Sequence, residues 1–323
     1  MPGVRCQYVP GMRAATIVDK RLEWNEHPDP EPGDGELLVR VRGAGINGAD
    51  ILQRAGGYPA PPGSPSDIPG LELAGEVVGV GPKVFRFKVG DRVMAIVGGG
   101  GQAELAVLHE RTAIRVPDNL SWEEAGGFPE VFITAHDALF TQCELTMGER
   151  LCVHGAAGGV GVAGVQLGTA IGASVVATVR NPDLRDAVAA FGAQVVAPED
   201  FVDHGPFDVV LELIGGPNMA ANMKALRTKG RISVIGIGAG ASTDLSLFLL
   251  MQKRARLHGS MLRARPLEDK AAATRAVENQ VLPLLADGRI RVPVAETFPM
   301  SEAQAAYDRF AAGGKFGKIV LLN

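Results

Sequence analysis

The chain has 323 residues, 46% of them hydrophobic, with a net charge of −4 and a mean hydropathy of +0.12. That length buries a large core and suits two domains, and the composition excludes a disordered chain. The charge gives no global attraction to nucleic acid or an anionic membrane, no apolar run reaches bilayer length, and no signal-peptide core opens the chain; a soluble cytoplasmic protein is expected.

In chain order, the first eleven residues read as a tail, with Cys6 exposed and incidental in it. Cys6, Cys143 and Cys152 are too few and too scattered for a disulfide framework or a four-thiolate zinc site. A strand pattern begins at Met12. Further β-branched runs follow at Glu36–Val41, Leu73–Val80 and Asp91–Val97, each bounded by Gly, Pro or Asp. Between them, Gly56–Gly70 (GGYPAPPGSPSDIPG) is too rich in Pro and Gly for regular structure.

After about Ala125 the rhythm changes to alternating strands and helices. Strands are predicted at Leu151–His154, Ser174–Val179, Gln194–Val196, Asp208–Leu213, Arg231–Gly236 and Arg256–Met261. Helices are predicted at Val160–Ile171 and Asp183–Phe191, with one long helix over Leu267–Asp287. Six strands with alternating helices make an α/β fold with a doubly wound parallel sheet. The closing segment FGKIVLL reads as a strand returning to the first domain.

The most informative stretch is Leu151–Gly161, LCVHGAAGGVG: a buried strand, a glycine-rich turn and a helix start. Its key positions are Ala156, Gly158 and Gly161, so alanine replaces the first glycine of G-x-G-x-x-G. Gly158 lets the backbone approach a pyrophosphate, and Gly161 lets the helix pack on the strand. Gly159 and Val160 open the helix, where free N–H groups and the positive dipole end favour phosphates. The second strand ends Ala177-Thr178-Val179-Arg180, with Thr178 expected beside the cofactor. Arg180 stands 19 residues after Gly161, where NAD enzymes place an acid on the ribose 2′-hydroxyl. A guanidinium there pairs with a 2′-phosphate instead. Asp183 competes for that role, yet Asn181-Pro182-Asp183 reads as a helix cap, a first-turn proline and a first-turn acid. NADPH is therefore the expected cofactor. Leu213-Ile214 and Ile235-Gly236-Ile237-Gly238 end the fourth and fifth strands, where parallel sheets bind ligands; Leu213, Ile214, Ile235, Gly236 and Gly238 should line the cofactor.

These motifs resemble the medium-chain dehydrogenase/reductase superfamily from Met12 onward, and more narrowly its zinc-free quinone oxidoreductases, the zeta-crystallin group. The match is carried by Asn47-x-x-Asp50, Gly56–Gly63, Gly70-Leu71-Glu72, Gly98–Leu105, Pro129–Asp137, the glycine turn with Gln166, Gly259–Arg265 and Gly317-Lys318. The GGGGQAE, PEVFITA and MLRAR segments point to the subgroup of the tumour-suppressor-inducible quinone oxidoreductase. The resemblance implies a GroES-like β-barrel catalytic domain (1–125 and 265–323), a Rossmann NADPH-binding domain (126–264), and a homodimer formed by extending the nucleotide sheet edge to edge. It also implies that the catalytic zinc places hold Ile46 or Asn47, and Leu71. His27, His109, His136, His154, His204 and His258 show no ligand spacing, so no metal site is expected. His154 reads as a core residue and His136 as a helix-packing one.

Without a metal to polarise it, the substrate must already accept hydride well, as quinones and conjugated enones do. The reaction then needs mainly alignment of the nicotinamide against the acceptor. An enone or enoyl-thioester reductase, or a non-catalytic NADPH-binding protein, are the competing readings. The resemblance puts Asn47 and Asp50 beside the nicotinamide; Asn47 is either a substrate or cofactor partner or a turn residue. Tyr58 either stacks on a planar acceptor and donates its phenol, or anchors its loop. Glu130 and Thr134 are expected on the nicotinamide side, with Glu130 alternatively a helix cap. Phe316, Gly317 and Lys318 return toward the cofactor, Lys318 reaching a phosphate or ribose or else lying in solvent. Val196-Ala197-Pro198 stands where many relatives carry a cofactor-supporting tyrosine, which leaves Arg180, with Arg185 as a possible helper, to hold the 2′-phosphate.

Overall fold

The computed structural model describes residues 11–323; Cys6 and residues 1–10 of the expected tail lie outside the described residues, and Gly11, counted with that tail, opens the first strand. From Gly11 the chain forms β1 (Gly11–Val18), β2 (Arg21–Pro28), β3 (Glu36–Gly45), α1 (Gly48–Arg54), β4 (Glu72–Val80), β5 (Arg92–Ile96), β6 (Leu105–His109), β7 (Ala113–Arg115) and α2 (Trp122–Gly126). It continues through α3 (Pro129–His136), β8 (Arg150–Val153), α4 (Gly159–Ala170), β9 (Ser174–Thr178), α5 (Arg185–Ala189), β10 (Gln194–Val196), β11 (Phe207–Glu212) and α6 (Met219–Ala225). The remainder is β12 (Leu226–Val234), α7 (Leu247–Lys253), β13 (Arg256–Gly259), α8 (Leu267–Gln280), α9 (Leu282–Ala286), β14 (Val294–Pro299), α10 (Ala303–Ala311) and β15 (Lys318–Leu322).

Two compact units result. One runs from the described N-terminus through Gly127 and adds Glu296–Ala312 and Ile319–Asn323; the other is Phe128–Ala295 with Gly313–Lys318. The contacts thus assign 265–295 to the second unit, whereas the sequence reading put this segment with the first. The reason is packing: α8 lies on α3, and Gln280 at its end bonds His136 at 2.9 Å. The expected single helix over Leu267–Asp287 is two helices, α8 and α9, broken at Val281. Pro283 has no N–H to donate to the preceding turn, and its ring crowds that turn's carbonyl.

In the first unit the strands pair in the order β14-β15-β3-β4-β5-β7, with β6 also on β3. β1 and β2 form a hairpin in which Asp19 and Lys20, both at positive φ, make the two-residue turn. The inward positions Leu37, Val39, Val41, Leu73, Val77, Val93 and Ala95 form one core with the C-terminal Ile319 and Leu321. Alternation along β3 delivers them to the same face. No helix or strand lies between Arg54 and Glu72, as the Pro/Gly content there requires. The returning strand β15 pairs antiparallel with β3, Val320 opposite Gly45.

In the second unit six parallel strands run β10-β9-β8-β11-β12-β13, the doubly wound order with β8 as first strand. β11 is buried at every position, which explains its unbroken apolar stretch Val209–Leu211. α4 packs on this sheet through a column of glycines. A Cβ on Gly164 would meet Leu211 Cδ2 at 2.7 Å, and one on Gly168 would meet Leu151 Cδ2 at 2.6 Å. Spaced four apart, these positions share one helix face. No helix among the described residues is long and apolar enough to cross a membrane.

Tyr307 on α10 is the largest fully buried side chain, and its hydroxyl donates to Gln102 Oε1 at 2.8 Å. It ties the returning C-terminal segment to the first unit. Tyr307→Phe is expected to cost about 1–3 kcal/mol by stranding the Gln102 carbonyl. Tyr307→Ala should cost about 3–5 kcal/mol by opening a cavity. The order of urea midpoints, wild type above Phe above Ala, checks this.

Candidate active site

The glycine turn lies where its sequence pattern predicts. β8 ends at Val153, and His154 still donates its backbone N–H to Leu211 O at 3.0 Å. Gly155 has φ +61°, a left-handed conformation that glycine adopts without strain. Ala156 is fully buried and bonds Thr178 O through its N–H at 3.1 Å, locking the turn to the end of β9. Gly158 is the residue before the first turn of α4. A Cβ on Gly161 would lie 2.5 Å from Gly155 O and 2.6 Å from Ala156 Cα, so only glycine lets the helix start this close to the strand end. Gly159 and Val160 then point their unpaired first-turn amides outward from the helix N-terminus.

Beside this turn lies a groove of about 520 Å³ lined by residues from six segments, one of them the loop after β10 through Pro198. The turn supplies Gly155, Ala157 and Gly158; the end of β9 supplies Thr178, Val179, Arg180 and Asn181; the loop after β11 supplies Leu213, Ile214 and Asn218. The loop after β12 adds Gly238 and Ala239, and the C-terminal segment adds Gly314 and Lys315. Of the expected cofactor residues, Gly158, Thr178, Arg180, Leu213, Ile214 and Gly238 are therefore brought together on one surface. Ile235 and Gly236 stand behind it: both donate backbone N–H groups to Glu212 O, and Gly236 approaches Leu213 O so closely that a side chain would collide.

Arg180 is exposed and has no hydrogen bond or ion pair among the described residues. Arg185 is different: its Nε donates to Val179 O at 3.2 Å, which turns it back onto its own strand end. Asn181 Oδ1 accepts from Asp183 N at 3.1 Å, so this segment is helix-cap chemistry and Asp183 is solvent-exposed. Sequence reasoning missed Lys315 and Asn218. Lys315 follows two glycines, Gly313 and Gly314 at φ +70° and +66°, which is the one signal that the segment bends sharply.

Under the groove lies a buried polar set. His154 Nδ1 meets Thr178 Oγ1 at 3.1 Å and its Nε2 meets Asn222 Oδ1 at 2.8 Å. Asn222 Nδ2 donates to Glu212 Oε2 at 2.6 Å, and Glu212 Oε1 accepts from Ile214 N and Gly215 N. Burial holds the His154 imidazole below its ordinary pKa, against the raising effects of Glu212 and Asn222. His154 is thus a hydrogen-bonded core histidine, as its place in the strand predicts. His136 is likewise buried, on Gln280 and against Phe140.

The C-terminal residues join the second unit. Gly317 bonds Ala157 O through its N–H at 3.0 Å and bridges to Gly158. Lys318 is 3% exposed and its Cδ is the atom that a Cβ on Gly159 would meet at 3.0 Å, so it is not a solvated surface lysine. Phe316 stacks on Phe191, 6.0 Å between centroids. Glu130 and Thr134 lie on α3, which packs on α4 with Val131 against Gly159; neither lines the groove.

In the first unit Asn47 precedes α1 and is nearly buried. Its backbone N–H donates to Asp50 Oδ2 at 2.8 Å, and its Nδ2 donates to Glu72 Oε1 at 2.9 Å. Asp50 Oδ1 accepts from Gly70 N at 3.1 Å. Asp50 is wholly buried, with one oxygen on the Asn47 amide and the other on the Gly70 amide, and so ties α1 to the Gly70 segment. Tyr58 is half-buried in the irregular loop. Ile46 and Leu71 are buried apolar side chains, and no group of three or more His, Cys, Asp or Glu that could hold a metal occurs among the described residues. Cys143 and Cys152 are buried free thiols; burial pushes the Cys143 thiol up to about 12.

Comparison with known proteins agrees with this architecture. Residues 172–321 match the family model described as zinc-binding dehydrogenase, and residues 33–118 match the alcohol dehydrogenase GroES-like domain. The chain is 33% identical over 316 residues to a quinone oxidoreductase of Pseudomonas aeruginosa, covering 93% of this chain and 95% of that protein. Its fold superposes on an alcohol dehydrogenase superfamily protein from Novosphingobium aromaticivorans with a TM-score of 0.85 at 28% identity, covering 97% and 99% of the two chains. It also superposes on a cobalt- and zinc-bound thermostable alcohol dehydrogenase from Pyrobaculum aerophilum with a TM-score of 0.84 at 27% identity, covering 97% and 100%. The chain belongs to the medium-chain dehydrogenase/reductase superfamily, oxidoreductases with a GroES-like domain and a Rossmann-type sheet that bind nicotinamide cofactors. The zinc in the family model's name finds no matching donor set in the described residues here.

Gly161→Ala should destabilise the second unit by about 1–3 kcal/mol, since backbone and not a flexible side chain must move. A lowered thermal midpoint, with dinucleotide protection reduced in the same scan, checks this.

Proposed function

We propose that the protein is a zinc-independent NADPH:quinone oxidoreductase. Arg180 carries the cofactor reading: a guanidinium with no ion pair among the described residues, on the wall of the nucleotide groove at the end of the second strand of the sheet. An acid there would suit the 2′-hydroxyl of NADH and would repel a 2′-phosphate. Lys315 lines the same groove and adds a second cation. The acceptor reading is supported by the quinone oxidoreductase name of the 33% identical relative and by the expected zinc places, Ile46 or Asn47 and Leu71, which hold neither thiol nor imidazole.

The groove residues fit a dinucleotide. The first-turn amides of α4 would hold the pyrophosphate, with Gly158 admitting it. Arg180 would pair with the 2′-phosphate. Leu213, Ile214, Gly238 and Ala239 give an apolar wall that excludes water. When bound, the reduced nicotinamide supplies a hydride. Asn47 and Tyr58 are proposed as the acceptor's hydrogen-bonding and stacking partners. Asp50 and Glu72 hold Asn47 in one orientation, so its geometry is set before substrate arrives.

We also propose a homodimer built through β13. This strand is at the edge of the parallel sheet, and Leu257 on it is exposed together with Phe248 and Met251 on the preceding helix. Sedimentation of the wild type should give a two-chain species, and Leu257→Lys should shift it toward monomer; a monomeric wild type contradicts this assembly.

Arg180→Ala should raise the KM for NADPH roughly ten- to hundredfold, the loss of one or two charge-assisted bonds, and leave the KM for NADH unchanged. Equal kcat/KM for the two cofactors, unmoved by the substitution, would reject the NADPH assignment. A panel of 1,2- and 1,4-quinones, alkenals and enoyl thioesters, followed by NADPH loss, tests the acceptor. Turnover of quinones is expected; rapid enone reduction with no quinone turnover would reject it.

A further inference from the structure

The groove has a polar floor that the glycine turn does not account for. Glu212, Asn222, His154 and Thr178 are all 2% exposed or less, and they hydrogen-bond in series from the end of β11 to the end of β9. The direction of that series follows from its far end. A carboxylate accepts and does not donate. Glu212 Oε1 takes the N–H groups of Ile214 at 2.6 Å and Gly215 at 2.9 Å, with Asn218 Nδ2 at 3.4 Å, and Oε2 takes Asn222 Nδ2 at 2.6 Å.

Asn222 must therefore turn its nitrogen to Glu212 and its Oδ1 to His154 Nε2, 2.8 Å away. An amide oxygen accepts, so His154 carries its proton on Nε2. Its Nδ1 then holds a lone pair, which faces Thr178 Oγ1 at 3.1 Å. The Thr178 hydroxyl donates inward, and only its oxygen lone pairs remain for the groove that Thr178 lines.

We propose that Glu212 is a positioning residue for nucleotide binding: acting through Asn222 and His154, it commits the Thr178 hydroxyl as an inward donor, so that the groove floor offers an acceptor to a ribose hydroxyl. The inference rests on the nucleotide reading of the groove. It gives the buried carboxylate two tasks. One oxygen fixes the Ile214 and Gly215 amides in the wall, and the other sets the polarity of Thr178 three side chains away. Gly215, at φ +114°, is the residue that lets the wall fold back onto Glu212.

The test uses the full chain. Long-range ¹H–¹⁵N NMR of histidine-labelled protein, without ligand, should show His154 as the Nε2–H tautomer. In Glu212→Gln the new amide keeps its oxygen on the Ile214 and Gly215 N–H groups and presents its nitrogen to Asn222. Asn222 then turns over, His154 becomes the Nδ1–H tautomer, and NADPH affinity falls about tenfold. Thr178→Val leaves Glu212 and its loop in place and serves where Glu212→Gln does not fold. It should weaken NADPH about tenfold with unchanged circular dichroism, and Thr178→Ser should restore binding. An Nδ1–H wild type, a tautomer unmoved by Glu212→Gln, or a Thr178→Val protein that binds NADPH like wild type overturns the proposal. A wild type with the Nε2–H tautomer that binds no NADPH overturns the nucleotide reading itself.

Discussion

The closeness of α4 to the end of β8 is the constraint on which the second unit depends. Three glycines, Gly161, Gly164 and Gly168, bring the helix down onto the strands, and the first of them touches backbone rather than side chain. That contact sets where the helix begins, and so where its free amides point. The same turn receives Gly317 from the C-terminal segment on Ala157 O, and Ala156 binds the end of β9. One tight turn thus fixes three of the segments that wall the groove. A larger residue at Gly161 would disturb packing and ligand site together, because they are one piece of structure.

Much of this was legible in the residues. The order strand, glycine turn, helix at 151–161 specified the first βα unit, and the β-branched runs spaced along 174–261 specified a parallel sheet. The Asn181-Pro182-Asp183 signal identified a helix cap and so freed the neighbouring Arg180 for another role. Other features were hidden for physical reasons. The apolar period over 267–287 continues across Val281, so only the backbone demand of Pro283 reveals the break. The affiliation of 265–295 is decided by the packing of α8 on α3, a contact between residues more than a hundred positions apart. Lys315 could not be placed because a lysine beside two glycines carries no direction. The resemblance places Asp50 beside the nicotinamide, and its carboxylate accepts from the buried amides of Asn47 and Gly70. A buried acid holding backbone and an acid at work on a ligand look alike in sequence.

The chemistry proposed for this chain follows from what its side chains offer. Hydride acceptors that need a metal to polarise them require a donor set, and the expected zinc places, Ile46 or Asn47 and Leu71, hold neither thiol nor imidazole. Quinones carry their own electron demand and ask chiefly for alignment. The polar residues that remain, Asn47 above all, are held by buried carboxylates rather than left mobile, which suits a site whose contribution is orientation. On the cofactor side the same device recurs: Glu212 is buried beneath the groove and fixes the amides and side chains above it. In both units a sequestered acid holds the groups proposed to meet the ligands.

The central claim is that NADPH bound by this chain reduces a quinone without metal. Single-turnover oxidation of protein-bound NADPH by a 1,2-quinone, after exhaustive chelation, tests it most directly. The account predicts the same rate in chelated and untreated protein, slowed when the transferred C4 hydrogen of NADPH is deuterium. Loss of turnover on chelation with recovery on adding zinc, or bound NADPH that no quinone oxidises, would contradict it.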